Sequence, residues 1–368
     1  MEHLKIFLLV TPFIIPFVLG IQIYFNSEKN ISLKIMAFAL FNCAIAYFCS
    51  YFYFQNDYVL YAPMHSVHAT LELWIFPSIY LYIKSIVIPD NKLKKEWKHF
   101  LLGGLMFVIA TILFYFYVGI DDLIFFMKHN KEGYHFIGLK FQILIITRYL
   151  ALATIALQAV FYSIAFVRIP KEYDIRLKNE FSNIDNFSLN WINRYNLFFG
   201  ISGLIGFISY TFSPIKGLHE LLILFCLFIF SAFICTMGVV AQRQKKPLKF
   251  AEEIEFDKDL NTVSEVIIDE SLINKLIDYM ETKKPFLQPD LSLTIVCEDL
   301  GINRTYLSNM INKKFGVNFN TYINDYRVRF LIDYIEKNPS TSREQLVDYC
   351  GFGSLRTMTR AMNRVKTK

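Results

Sequence analysis

Polar side chains recur along the sequence RTYLSNMINKK, residues 304–314, and they are of the types that bind nucleic acids. The set that should face outward is Arg304, Thr305, Ser308, Asn309, Asn312, Lys313 and Lys314. Arginine and asparagine can form paired hydrogen bonds with base edges, whereas lysine and serine more often bind phosphate. A charged helix that merely faces solvent would show the same pattern, so the residue types alone leave both interpretations open.

A second basic stretch lies near the carboxyl end of the chain. Residues 354–368 contain Arg356, Arg360 and Arg364, two further lysines, and no acidic residue. Charge alone predicts that this stretch binds phosphate, and we do not expect it to read bases.

A third polar group stands in an apolar region. His65, His68 and Glu72 are spaced i, i+3 and i+7 and therefore share one face of a helix. Ionisable residues inside a membrane span indicate a functional site by default. Hydrogen bonding across the bundle, a ligand pocket with Arg148 as counter-ion to Glu72, and a metal site are the three alternatives. The first is favoured, and we predict no metal, cofactor or catalytic residue, because no enzyme motif stands in a credible context.

Helical patterns surround the first basic stretch. The sequence predicts a helix over Leu293–Leu300 with Ile295, Val296 and Leu300 inward, followed by Gly301 in a left-handed turn. Asn303 is a good N-cap for a second helix over Arg304–Phe315, in which Tyr306, Leu307, Met310 and Ile311 should pack inward. A short helix, a glycine turn and a second helix form the helix-turn-helix plan. An earlier apolar stripe, from Leu272 to Met280, predicts a further helix that ends before Pro285.

The first two thirds of the chain are strongly apolar. The whole chain is 54% hydrophobic and only 19% charged, and the charge deficit lies before residue 242. Because a bilayer core requires roughly 20 apolar residues per helix, the sequence predicts seven membrane spans. Their ranges are 4–25, 33–54, 62–88, 100–118, 142–167, 195–213 and 219–241.

The short connections between the predicted spans differ in charge. Those on one side hold fifteen lysines and arginines, and those on the other side hold five. The positive-inside rule then places the amino terminus outside and the carboxyl terminus in the cytoplasm of an inner-membrane protein. No cleavable signal peptide is evident, and six cysteines without ligand spacing predict buried thiols. Residues 1–241 are thus predicted to be a membrane region, 242–268 a linker and 269–368 a cytoplasmic domain.

Residues 287–364 resemble the AraC/XylS-type DNA-binding domain, in which a long helix joins two helix-turn-helix units. The resemblance rests on PDLSL, TYLSNMINKKFG, NFNTYINDYRV and GFGSLRTMTRA, and it covers about a fifth of the chain. Phe319, Tyr322, Ile323 and Arg327 match the start of the family's connecting helix. The whole plan also resembles membrane-anchored regulators of this family, which implies an all-α chain that binds promoter DNA as a homodimer on repeated half-sites and senses an unknown small-molecule or membrane-borne signal.

The sequence departs from that family at several positions. Leu331 stands where a small residue is usual, Met358 and Met362 replace aromatics, and Asn363 replaces a lysine. The family pattern continues beyond Lys368, so we expect the second unit to be truncated and loose. This departure supports the rival hypothesis, a membrane receptor or transporter whose carboxyl-terminal domain only contacts proteins.

Overall fold

A computed structural model describes residues 2–130, 137–193, 195–196, 200, 216–244 and 269–366. Most of these residues are helical, and they form no β-strand but include an isolated antiparallel bridge between Phe181 and Ser292. The fold class is therefore all-α, as predicted. All six cysteines are free thiols, and they are buried or partly buried.

The chain forms two compact units. Unit 1 comprises Met1–Arg168 and Ile192–Gln244, and unit 2 comprises Ile169–Trp191 and Lys245–Lys368. The segment Ile169–Trp191 thus belongs with the carboxyl-terminal residues, although in sequence it is a connection between two predicted spans. The predicted linker 242–268 lies outside the described residues after 244.

Unit 1 contains long apolar helices. Their bounds are α1 Glu2–Asn26, α2 Ile31–Phe54, α3 Tyr58–Val87, α4 Asp90–Val118, the short α5 Ile120–Asn130, α6 Leu139–Glu180 and α7 Lys216–Ala241, of which α6 continues into unit 2. Helix α3 includes a 3-10 turn at Ala62–Met64, and α4 ends in π-helical geometry over Ile112–Val118.

Six helices in the described part of the chain are long and apolar enough to cross a membrane. They correspond to six of the seven predicted spans, with α6 reaching thirteen residues beyond the predicted end at 167. The remaining predicted span, 195–213, lies outside the described residues except at 195, 196 and 200. Large apolar side chains such as Phe116 and Leu157 are mostly exposed on these helices, which is consistent with contact with lipid.

Helices α1, α3 and α7 pack against α2. Met36, Leu40 and Cys43 on this helix have no exposed surface. Hydrogen bonds join α2 to α3, where Asn42 Nδ2 donates to the Leu71 carbonyl at 3.0 Å, and Ser32 Oγ donates to that of Ser85 at 3.2 Å. The pairing of 32 with 85 and of 42 with 71 shows that these neighbours are antiparallel.

Helices α1 and α7 are parallel instead. Lys5 and Glu220 form an ion pair at 3.1 Å near the start of both helices. Farther along, Ser231 Oγ donates to the Pro12 carbonyl at 3.0 Å. Both contacts advance in the same direction along the chain, which fixes the parallel arrangement.

Unit 2 consists of shorter helices after Ile169–Trp191. Their bounds are α8 Glu270–Lys283, α9 Leu293–Leu300, α10 Arg304–Phe315, α11 Phe319–Lys337, α12 Arg343–Tyr349 and α13 Leu355–Lys366. Helix α8 presents Ile273, Leu276 and Met280 to the core and ends at Lys283, just before Pro285, as its apolar stripe predicts.

Two apolar cores flank α11. The first contains side chains of α8, α9, α10 and the start of α11, with Val296, Leu307 and Ile323 fully buried. The second joins the later part of α11 to α12 and α13 through Leu331, Leu346, Cys350, Phe352 and Met358. Leu331 and Met358 fill the interior of this second core, so the residues that depart from the family pattern produce a packed pair of helices, whereas the sequence predicts a loose one.

Candidate nucleic-acid interface

The first candidate reading element, meaning a helix pair proposed to contact DNA, consists of α9 and α10. Both helices have the bounds predicted from sequence. Gly301 joins them with a φ of +65°, a left-handed conformation that glycine adopts without strain. The Asn303 side chain accepts a hydrogen bond from the Tyr306 backbone N–H at 3.2 Å and caps α10, as predicted.

The inward faces of this pair follow the predicted spacing with one correction. Val296 and Leu300 are buried, but Ile295 is 36% exposed. The buried face of α9 is formed by residues spaced i, i+3, i+4 and i+7, namely Leu293, Val296, Cys297 and Leu300. Ile295 lies about 100° away from Val296 around the helix and therefore points elsewhere. On α10, Leu307, Met310 and Ile311 are buried as predicted, whereas Tyr306 is only partly buried.

The predicted DNA-contacting side chains of α10 remain at its surface. Lys313 and Lys314 are exposed, and the partly exposed members are Arg304, Thr305, Ser308, Asn309 and Asn312. Two of these cations already have acidic partners. Lys314 Nζ lies 2.6 Å from Glu270 Oε1, and Arg304 Nη2 lies 2.8 Å from Glu180 Oε2.

The second pair, α12 and α13, has the same plan. Ser342 and Gln345 form a reciprocal capping box at the start of α12, and Gly351 turns the chain with a φ of +71°. Met358 and Ala361 anchor α13 in the second core. Arg356 and Arg360 are exposed on its other face and line an open depression of about 700 Å³.

Arg364 has a different environment from the other two arginines of α13. It forms an ion pair with Asp325 on α11 and donates from Nη2 to the Thr321 carbonyl at 3.3 Å. This arginine therefore holds α13 against α11, and its predicted contact with DNA would require these bonds to be shared or broken.

Arg327 is the most deeply buried charge of unit 2. Its side chain has no exposed surface. Its guanidinium donates to the carbonyls of Phe286 at 2.7 Å and Gln288 at 2.8 Å, and to Ser182 Oγ at 2.9 Å. Burial lowers the pKa of Arg327 to about 10, so it remains charged at neutral pH. It braces the fold and is not an exposed DNA contact.

The segment Ile169–Trp191 contributes two acidic side chains that the sequence analysis does not single out. Glu180 is almost fully buried and contacts Thr294 and Arg304. Asp185 accepts hydrogen bonds from the hydroxyls of Ser354 and Thr357 at the start of α13. No local pattern in the sequence indicates that this segment folds against residues more than a hundred positions away.

Unit 1 holds the second candidate site, a chain of polar side chains on α2 and α3. The Tyr61 hydroxyl lies 2.8 Å from His68 Nδ1 and 3.1 Å from His65 Nδ1. His68 Nε2 lies 3.0 Å from Ser50 Oγ and 3.4 Å from Glu72 Oε1. The predicted set thus comes together, with Tyr61 and Ser50 as additional members.

Arg148 lies on α6, half-buried, and is close enough to His65 and Tyr53 to act on both electrostatically. The partner seen for the Glu72 carboxylate is His68, at the next turn of the same helix. Among the described residues, no three His, Cys, Asp or Glu side chains are placed to hold a metal ion together.

Comparison with known proteins adds no assignment. No family model matches the chain, and neither curated proteins nor solved structures give a significant match.

Proposed function

We propose that this protein is a membrane-tethered, sequence-specific DNA-binding transcriptional regulator. The observation that carries the proposal is the pair of two-helix elements at either end of α11, each with polar or basic side chains exposed on its second helix. This arrangement supports the double helix-turn-helix plan proposed from the resemblance of residues 287–364 to the AraC/XylS-type domain. Nothing in the proposal requires catalysis.

In this function α10 enters the major groove. Asn309 and Asn312 would read base edges, and Lys313 would bind phosphate. The two exposed arginines of α13, Arg356 and Arg360, would bind the backbone nearby. Because one copy offers a limited contact area, we expect two copies of the chain on repeated half-sites.

The parallel packing of α1 and α7 supports seven spans. The successive spans α1, α2, α3, α4 and α6 alternate in direction, because paired contacts between neighbours run in opposite senses along the chain. These pairs of contacts are Phe13–Phe48 with Phe17–Phe41, Ser66–Tyr115 with Trp74–Phe100, and Val118–Lys140 with His99–Tyr162, in addition to those given above for α2 and α3. Helix α6 is then parallel to α1, and so is α7. Because consecutive spans run in opposite directions, α6 and α7 can both be parallel to α1 only if one further span lies between them. The sequence predicts such a span at 195–213.

Seven spans combined with the positive-inside rule would place unit 2 in the cytoplasm, where the chromosome is accessible. The bundle would then receive an unknown small-molecule or membrane-borne signal from outside or from the lipid. The polar chain from Tyr61 to Glu72 is its candidate ligand pocket, since buried polar groups within spans are expensive and mark functional sites.

Genome-wide crosslinking of the full-length protein in its own cell tests the proposal. Discrete promoter peaks are expected, and they should be lost when Arg356→Ala and Arg360→Ala are combined at equal protein abundance. Crosslinking without discrete peaks would contradict the proposal. It would favour the rival hypothesis, a membrane receptor or transporter whose carboxyl-terminal domain contacts only proteins.

Lys313 provides a quantitative test of the phosphate contact. Lys313→Ala should weaken binding of the full-length protein to all duplexes alike and reduce the slope of log K against log salt by about one. Lys337→Ala, at the exposed far end of α11, removes the same charge and should leave the slope unchanged. Fluorescence anisotropy with duplexes at several salt concentrations measures both; equal slopes for the two variants would show that Lys313 does not contact DNA.

A further inference from the structure

Glu180 occupies an anion-binding position at the first helix pair. Its Oε1 accepts hydrogen bonds from the Thr294 backbone N–H at 3.3 Å and from Thr294 Oγ1 at 2.8 Å, in the first turn of α9. Its Oε2 accepts from Arg304 Nε at 2.8 Å, at the start of α10. Helix N-termini and arginine are the groups that proteins use to bind phosphate. In a helix-turn-helix, the first helix crosses the DNA backbone near this position.

Asp185 occupies the corresponding position at the second pair. Its two carboxylate oxygens accept from Thr357 Oγ1 at 2.8 and 2.7 Å, and Ser354 Oγ also donates to this carboxylate. Both hydroxyl groups lie at the amino-terminal end of α13, the helix that carries Arg356 and Arg360. One short segment thus places a carboxylate at each of the two candidate reading elements.

The residues between the two carboxylates fix the segment in register. Ser182 is fully buried; its N–H donates to the Leu291 carbonyl at 3.0 Å, and its own carbonyl accepts from Asn320 Nδ2 at 2.8 Å. Arg327 donates to the Ser182 hydroxyl. On the other side, a Cβ atom at Gly353 would collide with the Asn183 amide. These contacts hold both carboxylates in place at the same time.

We infer that Ile169–Trp191 is an internal competitor of DNA, in which Glu180 and Asp185 occupy the positions of two DNA phosphates. The inference rests on the proposed function. Thr294, Arg304, Ser354 and Thr357 are then phosphate-binding residues of the operator complex, and the docked form is the DNA-free form. Because the first part of the segment is the end of α6, whose earlier residues form an apolar span, the competitor is covalently connected to the membrane bundle.

Replacing both carboxylates by amides tests the competition. Glu180→Gln with Asp185→Asn keeps the shape of both side chains but removes the charge that pairs with Arg304. In detergent micelles, this full-length double variant should bind a labelled mixed-sequence duplex about tenfold more tightly than the wild type. The reason is that a larger fraction of the molecules has the phosphate-binding positions unoccupied and can bind DNA. The contribution of Asp185 to this gain should fall as salt increases, because its carboxylate is exposed, whereas the contribution of the buried Glu180 should change less.

A matched control separates this effect from a simple change of net charge. Asp333→Asn with Glu336→Gln removes two carboxylates from the exposed surface of α11, which belongs to neither helix pair. This variant should change affinity by no more than about twofold. An equal gain in both double variants would overturn the inference and leave only a general charge effect.

A reversible crosslink tests the same idea from the opposite direction. Phe181 and Ser292 face each other in the antiparallel bridge, where Cα atoms lie within the range that a disulfide spans. With Phe181→Cys and Ser292→Cys, oxidation should lower duplex affinity about tenfold, and reductant should restore it in the same sample. Equal binding by the oxidised and reduced forms would contradict the inference.

The two proposals fail in different ways. If neither the wild type nor any variant shows salt-dependent affinity for the duplex, the proposed function itself is wrong. If the wild type binds but the double amide binds no more tightly than the charge control, only the competitor is wrong. In that case, reduced hydrogen-exchange protection of 269–366 in the double amide would identify the segment as a structural brace.

Discussion

Arg327→Ala should unfold much of unit 2, with an expected loss of stability of about 4 kcal/mol. The substitution removes a fully buried guanidinium, takes away the side-chain donor to the Phe286 carbonyl, and leaves the Gln288 carbonyl with only the Leu291 N–H as donor. Each buried acceptor left unsatisfied costs about 1–3 kcal/mol, and the space left by the side chain adds to this. The first core should therefore lose its anchor to the 3-10 turn at Pro285–Leu287.

Hydrogen exchange of the full-length protein measures this effect. Amides of α9 and α11 should exchange about a thousandfold faster in Arg327→Ala than in the wild type. Arg329→Ala is the matched control, because Arg329 is exposed and lies 5.2 Å from the centre of the Tyr326 ring. An exposed contact of this kind contributes about 1 kcal/mol at most. Similar exchange in the two variants would show that the buried hydrogen bonds do not stabilise the unit.

Gly351→Ala is the second change for which we expect a large effect. Gly351 has a φ of +71°, and a Cβ atom there would lie 2.5 Å from the Leu287 carbonyl oxygen. The colliding atom belongs to the backbone, so it cannot move aside as a side chain could. We expect a loss of about 3 kcal/mol, concentrated in α12 and α13, because the turn between them must withdraw from Pro285–Leu287.

Two other glycines provide controls for the backbone conformation itself. Gly301 and Gly316 have φ values of +65° and +67°, and a Cβ atom at either would meet nothing within 4 Å. Alanine there should cost only the left-handed strain, about 1 kcal/mol. Hydrogen exchange of α12 and α13 in Gly351→Ala, compared with that of α10 in the two controls, isolates the collision. Equal losses at all three glycines would show that the contact with Leu287 does not matter.

The first helix pair was the part of the fold most accessible from sequence. Its two helices begin and end where local signals place them, because Ser292 and Asn303 cap the first turns and glycines end both helices. These interactions involve residues within four positions of each other. Membrane spans are predictable for a similar reason, since length and composition alone satisfy the bilayer.

The second helix pair shows where a comparison of residue types misleads. The sequence predicts a loose unit because methionines replace the usual aromatics. In the structure Met358 and Leu331 pack together in one core with Phe352. An unbranched methionine can fill irregular space left by a changed partner, so residue identity at single positions did not determine the packing of the whole set.

The candidate site was only half predictable. Residue types identified Arg304, Lys313, Arg356 and Arg360 as candidates, and three of these four are exposed. The pairing of Arg304 with Glu180 and of Arg364 with Asp325 depends on contacts over 124 and 39 positions. No periodicity encodes such partners.

The helices, the apolar spans and the basic faces of α10 and α13 follow from local sequence, because caps, turn glycines and periodic side chains act within a few residues. The burial of Arg327 and the packing of Ile169–Trp191 with residues 269–366 do not follow from local sequence. Those outcomes depend on which hydrogen-bond donors and acceptors meet when distant segments pack together. Each of the two helix pairs therefore holds a carboxylate, Glu180 or Asp185, at a position proposed for a DNA phosphate.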